Sequence, residues 1–109
     1  MPPERPHCPS ERVLRLLSGA WTPFILWVLH REGPLRFGEL RSRVPGISAR
    51  LLTLRLRKLE EEGLLQRCAL RPGTARSAYA MTPRGQELRP LIDAIDEVAR
   101  QWEGSAEPV

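Results

Sequence analysis

The segment GISARLLTLRLRKLEEEGLL, residues 46–65, decides how this chain folds. Ser48 is a typical helix N-cap, because its hydroxyl can accept a hydrogen bond from an unpaired backbone N–H. Gly63 favours the end of the same helix, since a residue without a Cβ adopts a left-handed conformation at little cost. Leucines spaced i, i+4, i+7, with Leu51 at their flank, predict one buried face: Leu52, Leu56 and Leu59.

The opposite face of this predicted helix is polar and basic. At about 100° per residue, it carries Arg50, Thr53, Leu54 and Arg57. No acid occurs from Arg50 to Lys58, whereas residues 60–62 are all glutamates. Because phosphate attracts the basic part and repels the acidic end, we expect the helix to meet a polyanion with its N-terminal part. This behaviour is typical of a recognition helix.

Charge is distributed unevenly over the whole chain. The 109 residues carry a formal net charge of +4 and are long enough for one domain with a small helical core. Residues 34–58 are rich in arginine and hold one acid, Glu39; residues 65–84 contain arginines but no acid; residues 85–109 are mainly acidic. Two basic blocks beside an acidic end favour a polyanion-binding side over a merely solvated surface.

Several function classes are excluded by what the sequence lacks. Cys8 and Cys68 form no CxxC or zinc pattern, and with two histidines elsewhere they supply no metal-ligand set, so neither metal nor cofactor is expected. The N-terminus has no apolar signal region, and the longest apolar run, residues 24–29, is too short to span a bilayer. We expect a cytoplasmic protein with reduced thiols and no membrane partner. Without paired carboxylates, a nucleophile–base set or a glycine-rich phosphate loop, an enzyme is not expected.

Residues on both sides of the central helix predict a helix-turn-helix followed by a wing. Residues 37–44 predict a short helix with Leu40 and Val44 facing inward, and Pro45-Gly46 forms a tight turn into the central helix. Residues 65–70 and 78–81 predict two antiparallel strands around the basic turn RPGTARS. The short segment before residue 37 predicts an edge strand or an extended lead-in.

Prolines mark three helix starts. Pro9 suits the first helical position, with Cys8 or Ser10 as the N-cap. Two further cap-plus-proline starts are Thr22-Pro23 and Thr82-Pro83. Residues 24–29 are apolar on every side, which predicts a helix buried all round. Pro90 predicts a kink or break near Arg89 in the last helix.

The first and last helices predict a dimer interface. The last helix carries more apolar surface than a monomer of this size needs, and a seam shared with the first helix would cover it. The residues assigned to this seam are Val13, Leu17, Leu91, Ile95, Val98 and Trp102. In the alternative interpretation they pack only within their own protomer.

The predicted fold class is therefore mainly α (α+β): a winged helix-turn-helix with a two-stranded wing and N- and C-terminal dimerisation helices. We expect this domain over residues 8–103, between a flexible N-terminal arm (1–7) and a disordered tail (104–109).

The chain resembles the HxlR-type winged helix-turn-helix regulators, bacterial relatives of the MarR group, from about residue 8 to residue 98. The resemblance is carried by the order and spacing of Cys8-Pro9 with Glu11, Gly19, Trp21-Thr22, Gly33-Pro34-Leu35-Arg36-Phe37, Glu39-Leu40, Pro45-Gly46-Ile47-Ser48, Leu52-Thr53, Arg55-Leu56, Leu59-Glu60, Gly63-Leu64, Arg67, Arg76, Tyr79, Thr82, Gly85 and Pro90. The chain departs from the family pattern at Leu54, where a polar residue is usual, at Ala20, where lysine is usual, and at Val98, where an aromatic residue is common.

The resemblance implies a homodimer whose two recognition helices enter successive major grooves of a pseudo-palindromic operator. It places Ser48, Arg50, Thr53 and Arg57 at double-stranded DNA, and the helical phase independently selects the last three, with Leu54. Arg50 or Arg57 could hold a guanine edge with two hydrogen bonds, and Leu54 offers apolar contact to a thymine methyl. The residues better placed for phosphates are Arg36, Arg55, Lys58, Arg71 and Arg76.

Cys8 carries a separate hypothesis. Several HxlR-type regulators use the cysteine at this position to sense oxidants or electrophiles. A thiol at a helix N-terminus, beside Arg5, His7 and Arg12, favours the reactive thiolate. The alternative is a cysteine without a sensing role. Cys68, in the wing strand, is interpreted as a small packed residue.

The sequence thus predicts a sequence-specific transcriptional regulator that binds double-stranded DNA as a homodimer and responds to oxidants through Cys8, with no small-molecule effector identified. The alternative is a winged-helix module that binds another protein and no longer binds DNA. The arginine-lined helix and the basic wing favour the regulator.

Overall fold

The computed structural model describes residues 9–104 and shows six helices and three strands among them. Their bounds are α1 (Pro9–Leu17), α2 (Thr22–Glu32), β1 (Leu35–Arg36), α3 (Phe37–Arg43), α4 (Ala49–Glu61), β2 (Leu65–Cys68), β3 (Ala78–Met81), α5 (Pro83–Gln86) and α6 (Arg89–Gly104). Helices α3 and α4 form the predicted helix-turn-helix, and β2 and β3 form the predicted hairpin. The fold class is confirmed, while the dimerisation role of α1 and α6 stays a prediction.

The sheet has three antiparallel strands in the order β1-β3-β2. Of the two alternatives predicted for the segment before α3, the edge strand is the one found, with Leu35 opposite Tyr79. On the other side of β3, Arg67 is also opposite Tyr79. Strand β2 ends at Cys68, two residues earlier than predicted, so that the wing loop begins at Ala69. The two-stranded wing is therefore anchored to the helix-turn-helix through β1.

The core lies where α2, α3 and α4 meet the sheet. Its largest fully buried side chains are Ile25, Leu26, Val28, Leu40, Val44, Leu52, Leu56 and Leu59. The set contains the whole predicted leucine stripe of α4 and both predicted inward residues near α3. This packing determines which face of α4 is left to solvent.

Two predicted N-caps are confirmed and one is wrong. Ser48 accepts a hydrogen bond from the backbone N–H of Leu51 at 3.0 Å, and Thr82 accepts one from Gly85. For α2, however, the N-cap is Trp21, in a left-handed conformation with φ of 73°, and it makes no side-chain cap hydrogen bond. Thr22 is already helical and its side chain is buried. The predicted N-cap of α2, Thr22, is therefore one residue later in the chain than the observed N-cap, Trp21.

Helix α2 is not buried all round, contrary to the prediction. Four of its residues are buried in the core, but Phe24 is 39% exposed and Trp27 is only partly buried. These two aromatic rings contact each other edge to face at 6.1 Å between centroids. They lie toward α6, because the Trp27 indole N–H donates to Asp96 at 2.7 Å. Apolar composition on all sides did not distinguish a core face from an aromatic face directed at another helix.

The helix break predicted near Arg89 from Pro90 is present in the C-terminal region. Helix α5 ends at Gln86, and α6 begins at Arg89, followed by Pro90. Gly104 still belongs to α6, so the helix runs one residue into the predicted tail. The predicted arm, Cys8 and the remainder of the predicted tail lie outside the described residues.

No single helix within residues 9–104 is long and apolar enough to cross a membrane. Helices α1 and α2 meet the length and composition criteria only as a pair, and they are bent by 88° relative to each other.

Gly85 is the position where a methyl group would be most disruptive. It is buried in α5, and a Cβ there would clash with the backbone carbonyl of Leu64, at the junction of α4 and β2. We expect Gly85→Ala to destabilise the fold by about 1–3 kcal/mol, since backbone must move to admit the methyl. The measurement is the free energy of unfolding in urea, followed by circular dichroism.

Gly38→Ala is the matched control. Gly38 lies in α3, and a Cβ there meets nothing within 4 Å. We expect stability unchanged or slightly raised, because alanine favours the helix. Equal stability of the two variants would contradict the close approach of Gly85 to Leu64.

Candidate nucleic-acid interface

The exposed face of α4 is organised by its cap and its leucines. The Ser48 hydroxyl accepts from Leu51 and fixes the first turn. Thr53 donates from its hydroxyl to the carbonyl of Ala49 at 2.9 Å, one turn back, which orients its methyl and hydroxyl along the helix. With the leucine stripe buried, the predicted contact residues are all exposed: Ser48, Arg50, Thr53, Leu54 and Arg57.

This face carries positive charge that the protein does not neutralise. Among the residues that the structure describes, neither Arg50 nor Arg57 has an ion-pair partner. Leu54 is 47% exposed between them along the helix. An arginine pair flanking an apolar side chain presents hydrogen-bond donors and one hydrophobic contact to a ligand, which are the groups that read base edges in a major groove.

The acidic end of α4 is held by cations from its surroundings. Glu60 pairs with Arg67 of β2 at 3.5 Å, and Glu62 pairs with Lys58 at 3.4 Å and with Arg12 of α1 at 3.5 Å. These pairs reduce the repulsion that the glutamates would exert on a nearby polyanion. Exposed pairs of this kind contribute little to stability, so their main effect here is on local potential.

The wing presents two further arginines. Arg71 and Arg76 lie in the loop between β2 and β3, where residues 69–77 are all exposed, and within residues 9–104 neither has an acidic partner. The base of the wing is held differently: the Arg67 guanidinium lies over the Tyr79 ring at 5.1 Å from its centroid, across the β2–β3 pair. Arg67 is therefore a structural residue of the wing, and the two loop arginines are free to contact a phosphate.

The remaining predicted phosphate contacts differ in availability. Arg36 is exposed at the N-cap of α3, where its backbone N–H donates to Glu39 at 2.8 Å. Lys58 is exposed beside its Glu62 partner. Arg55 is half-buried, and its Nε donates to the carbonyl of Ala20 at 2.8 Å, in the turn between α1 and α2. A phosphate role for Arg55 stays a prediction. Only its two terminal nitrogens are available for such a contact, because Nε already donates to Ala20.

Sequence reasoning missed that other arginines of the basic block brace the fold. Arg43 holds both carboxylate oxygens of Glu32 at 2.9 and 3.0 Å, which joins α3 to α2. Arg41 donates to the carbonyl of Ile47 at 3.3 Å across the helix-turn-helix turn. Their partners were visible in the sequence, but nothing in local spacing identified the pairs.

The apolar face assigned to a dimer seam is exposed on α6. Its exposed members there are Leu91, Ile95, Val98 and Trp102. Leu17 joins Leu91 and Ile95 along a groove of about 440 Å³ that also contains Phe24 and Trp27 of α2. On α1 the assignment stays a prediction. Val13 is half-buried and lines a pocket with Leu64 and Leu88 of its own protomer, whereas Leu14 is 65% exposed.

Within the described part of the chain, no group of three or more histidine, cysteine or acidic side chains could hold a metal ion. Cys68 is half-buried on β2 opposite Ala78.

Comparison with known proteins agrees with this geometry. The model of the HxlR-like helix-turn-helix family matches residues 16–107. An HTH-type transcriptional regulator of Synechocystis sp. is 36% identical over 95 residues, which are 87% of this chain and 70% of that protein.

Solved structures give the same result. The reduced form of the transcriptional regulator YodB from B. subtilis is 31% identical, with a TM-score of 0.73 over 88% of this chain and 94% of that one. The redox regulator HypR in its reduced form is 29% identical, with a TM-score of 0.77 over 92% of this chain and 98% of that one. YodB has also been solved bound to quinone and after diamide treatment. The chain belongs to the HxlR-like helix-turn-helix family and is a transcriptional regulator, not an enzyme.

Proposed function

We propose that this regulator binds double-stranded DNA sequence-specifically, as a homodimer on a pseudo-palindromic operator. The observation that carries the proposal is the unneutralised arginine face of α4, with Arg50 and Arg57 on either side of Leu54. Each arginine can hold the O6 and N7 atoms of a guanine, which discriminates against other bases by about 1–3 kcal/mol. Leu54 can contact only an apolar group there, such as a thymine methyl.

Phosphate contacts fix the orientation of α4 in the groove. Arg36 at the start of α3, Lys58 on the flank of α4 and the wing arginines Arg71 and Arg76 are the exposed cations for this task. Such contacts supply affinity without reading sequence. The wing would thus hold the backbone or minor groove beside the major groove that α4 enters. The DNA-binding domain spans residues 8–103 in this proposal, and the protein acts in the cytoplasm.

The two copies meet through α1 and α6 in this proposal. A two-fold axis would bury the exposed apolar side chains of α6 against the same face of the partner and place two recognition helices on one side of the DNA. The separation required is about 34 Å, one turn of the duplex. The contiguous exposed apolar side chains of α6 (Leu91, Ile95, Val98 and Trp102) support this arrangement.

The proposal predicts a steep salt dependence of binding. We expect affinity for duplex DNA to fall with salt in proportion to the number of phosphates held. Arg76→Gln should flatten the slope of log K against log salt by about two units per dimer, because each wing loses one contact. The measurement is fluorescence anisotropy of labelled genomic duplex at several salt concentrations.

Arg100→Gln is the control for this experiment. It removes the same charge from α6, where Arg100 pairs only with Glu97 among the described residues, and should leave the slope unchanged. Absence of binding to both genomic and random duplex at low salt would instead support the protein-binding module, for which the exposed Leu54 would be a contact residue.

The dimer is tested by placing a charge in the seam. Ile95 is half exposed, so Ile95→Glu should leave the protomer folded but prevent burial of this face, since an unpaired carboxylate is costly to desolvate. We expect a monomer in analytical ultracentrifugation and a large loss of affinity for a full operator. Gln101→Glu adds the same charge at an exposed polar position and should remain dimeric. A dimer of unchanged strength in Ile95→Glu would place the interface elsewhere.

We also propose that oxidants or electrophiles regulate DNA binding through Cys8. Among the similar proteins, YodB has been solved bound to quinone, and HypR is a redox regulator. Cys8 directly precedes α1, and a thiol at a helix N-terminus beside basic residues favours the thiolate. Modification of that thiol would displace α1 and with it the dimer and its fit to the operator.

Cys8→Ser should therefore abolish the effect of diamide on operator binding. Cys68→Ser is the matched control, because it removes the other thiol of the chain and should leave the response intact. The measurement is operator affinity before and after diamide for each variant. If Cys8→Ser responds like the unmodified chain, Cys8 has no part in regulation.

A further inference from the structure

A cleft between α1, the start of α2 and α4 brings together three cations and the hydroxyl of the buried residue Thr22. Its volume is about 140 Å³, enough for one tetrahedral group. The polar side chains that line it are Arg15, Thr22, Arg55 and Lys58, next to Gly19, and no acid lines it. We propose that this cleft binds a single oxyanion with the chemistry of a phosphate or sulfate group.

Thr22 supplies the first independent observation. It is only 4% exposed, and its backbone N–H donates to the carbonyl of Gly19 at 3.1 Å. Its hydroxyl has no hydrogen-bond partner anywhere in residues 9–104, although it lines the cleft. Since no buried side-chain oxygen or nitrogen in these residues lacks a partner, the Thr22 oxygen is open to the cleft, and an oxyanion there would accept its hydrogen bond.

Gly19 keeps that hydroxyl accessible. A Cβ at this position would lie 2.8 Å from the Thr22 oxygen and 3.7 Å from the guanidinium carbon of Arg55. Any larger residue would therefore fill the space between the hydroxyl and the guanidinium. The glycine leaves open the position that a ligand oxygen would occupy.

The Arg55 side chain is positioned in advance. Its Nε donates to the carbonyl of Ala20 at 2.8 Å, which fixes the plane of the guanidinium at the cleft and leaves both terminal nitrogens without an acidic partner among the described residues. A planar donor that is already fixed loses little entropy when it binds an oxyanion.

The start of α2 adds to the positive potential. The helix is eleven residues long, and its N-cap residue, Trp21, provides no side-chain acceptor. Thr22 N–H already donates to Gly19, Pro23 has no N–H and Ile25 N–H donates to Trp21, so the helix N-terminus contributes only its partial positive charge beside the Thr22 hydroxyl.

Arg15 and Lys58 form the mouth of the cleft. Arg15 pairs with Glu11 at 2.7 Å and Lys58 pairs with Glu62 at 3.4 Å, each one helical turn away, and both cations are largely exposed. Such i,i+4 pairs are weak, so each side chain can turn to an oxyanion at small cost. Glu62 also has Arg12 as a second partner.

Two sources can supply the oxyanion: a free anion in solution or a phosphate of the DNA backbone. The second source rests on the proposed function, whereas the first does not. The two are separated by testing inorganic phosphate on the full chain without DNA, and duplex DNA in a second experiment.

In the first experiment, inorganic phosphate is titrated into the full chain in chloride buffer and followed by calorimetry. We expect saturable binding, weakened about tenfold or more by Thr22→Val, which removes the hydroxyl at constant shape, and by the exposed Lys58→Gln. Arg100→Gln, which removes a charge on α6, should bind phosphate as the unmodified chain does. Circular dichroism confirms that each variant is folded.

In the second experiment, the same variants are titrated with duplex DNA. If phosphate alone does not bind, but Thr22→Val and Lys58→Gln each weaken DNA binding several-fold and Arg100→Gln does not, the cleft takes a backbone phosphate. If neither variant changes phosphate binding or DNA binding, the cleft is not an oxyanion site and the proposal is overturned. A chain that binds no DNA at all leaves the phosphate experiment to decide alone.

Discussion

Burial of one stripe of leucines determines what the rest of this protein can present. Leu52, Leu56 and Leu59 of α4 are at most 1% exposed, and burying each contributes about 1.5–3 kcal/mol. Turning α4 by one residue would move a leucine into water and an arginine into the core, where an unpaired charge is far more costly than the lost apolar contact. The exposed side of the helix is thus dictated by the core and needs no contribution from a ligand.

Once that face is fixed, the arginines fall into two groups: those with a hydrogen-bond, ion-pair or aromatic partner within the fold, and those without one among the described residues. Arg43 and Arg41 find acceptors within the helix-turn-helix and its neighbour α2, and Arg67 finds an aromatic ring and a glutamate at the base of the wing. Arg50 and Arg57 find none among the described residues. Net charge therefore overstates the surface available to a polyanion, and the arginines that matter for binding are the ones the fold leaves unpaired.

Features encoded over a few neighbouring residues were predictable from the sequence. The Ser48 cap, the Gly63 stop, the leucine stripe, the hairpin and the break before Pro90 depend on periodicity or on local backbone chemistry, and all appear in the structure. The family resemblance rested on the same local signals.

Features set by contacts between distant residues were not predictable. Trp21 replaces Thr22 as the cap of α2, and its left-handed backbone is a conformation that a bulky residue adopts only when its surroundings enforce it. Its ring lies against Gly46, 25 positions further along the chain: a Cβ at Gly46 would be 3.4 Å from the nearest ring carbon. Arg55 binds a carbonyl 35 positions away, for which no spacing rule exists.

Helix α2 links the two halves of the domain. One side packs into the core against α3 and the sheet, and the other side is joined to α6 by polar contacts: Trp27 and Arg31 to Asp96, at 2.7 and 3.7 Å, and His30 to Asp93 at 3.0 Å. Directional hydrogen bonds fix the relative rotation of two helices more tightly than apolar contact does. The angle between α6 and the recognition helix is therefore set inside each protomer. In a dimer formed through α6, the distance between the two recognition helices would depend on how the α6 faces meet, and a small rotation at that seam would be carried through α2 to the DNA-facing residues.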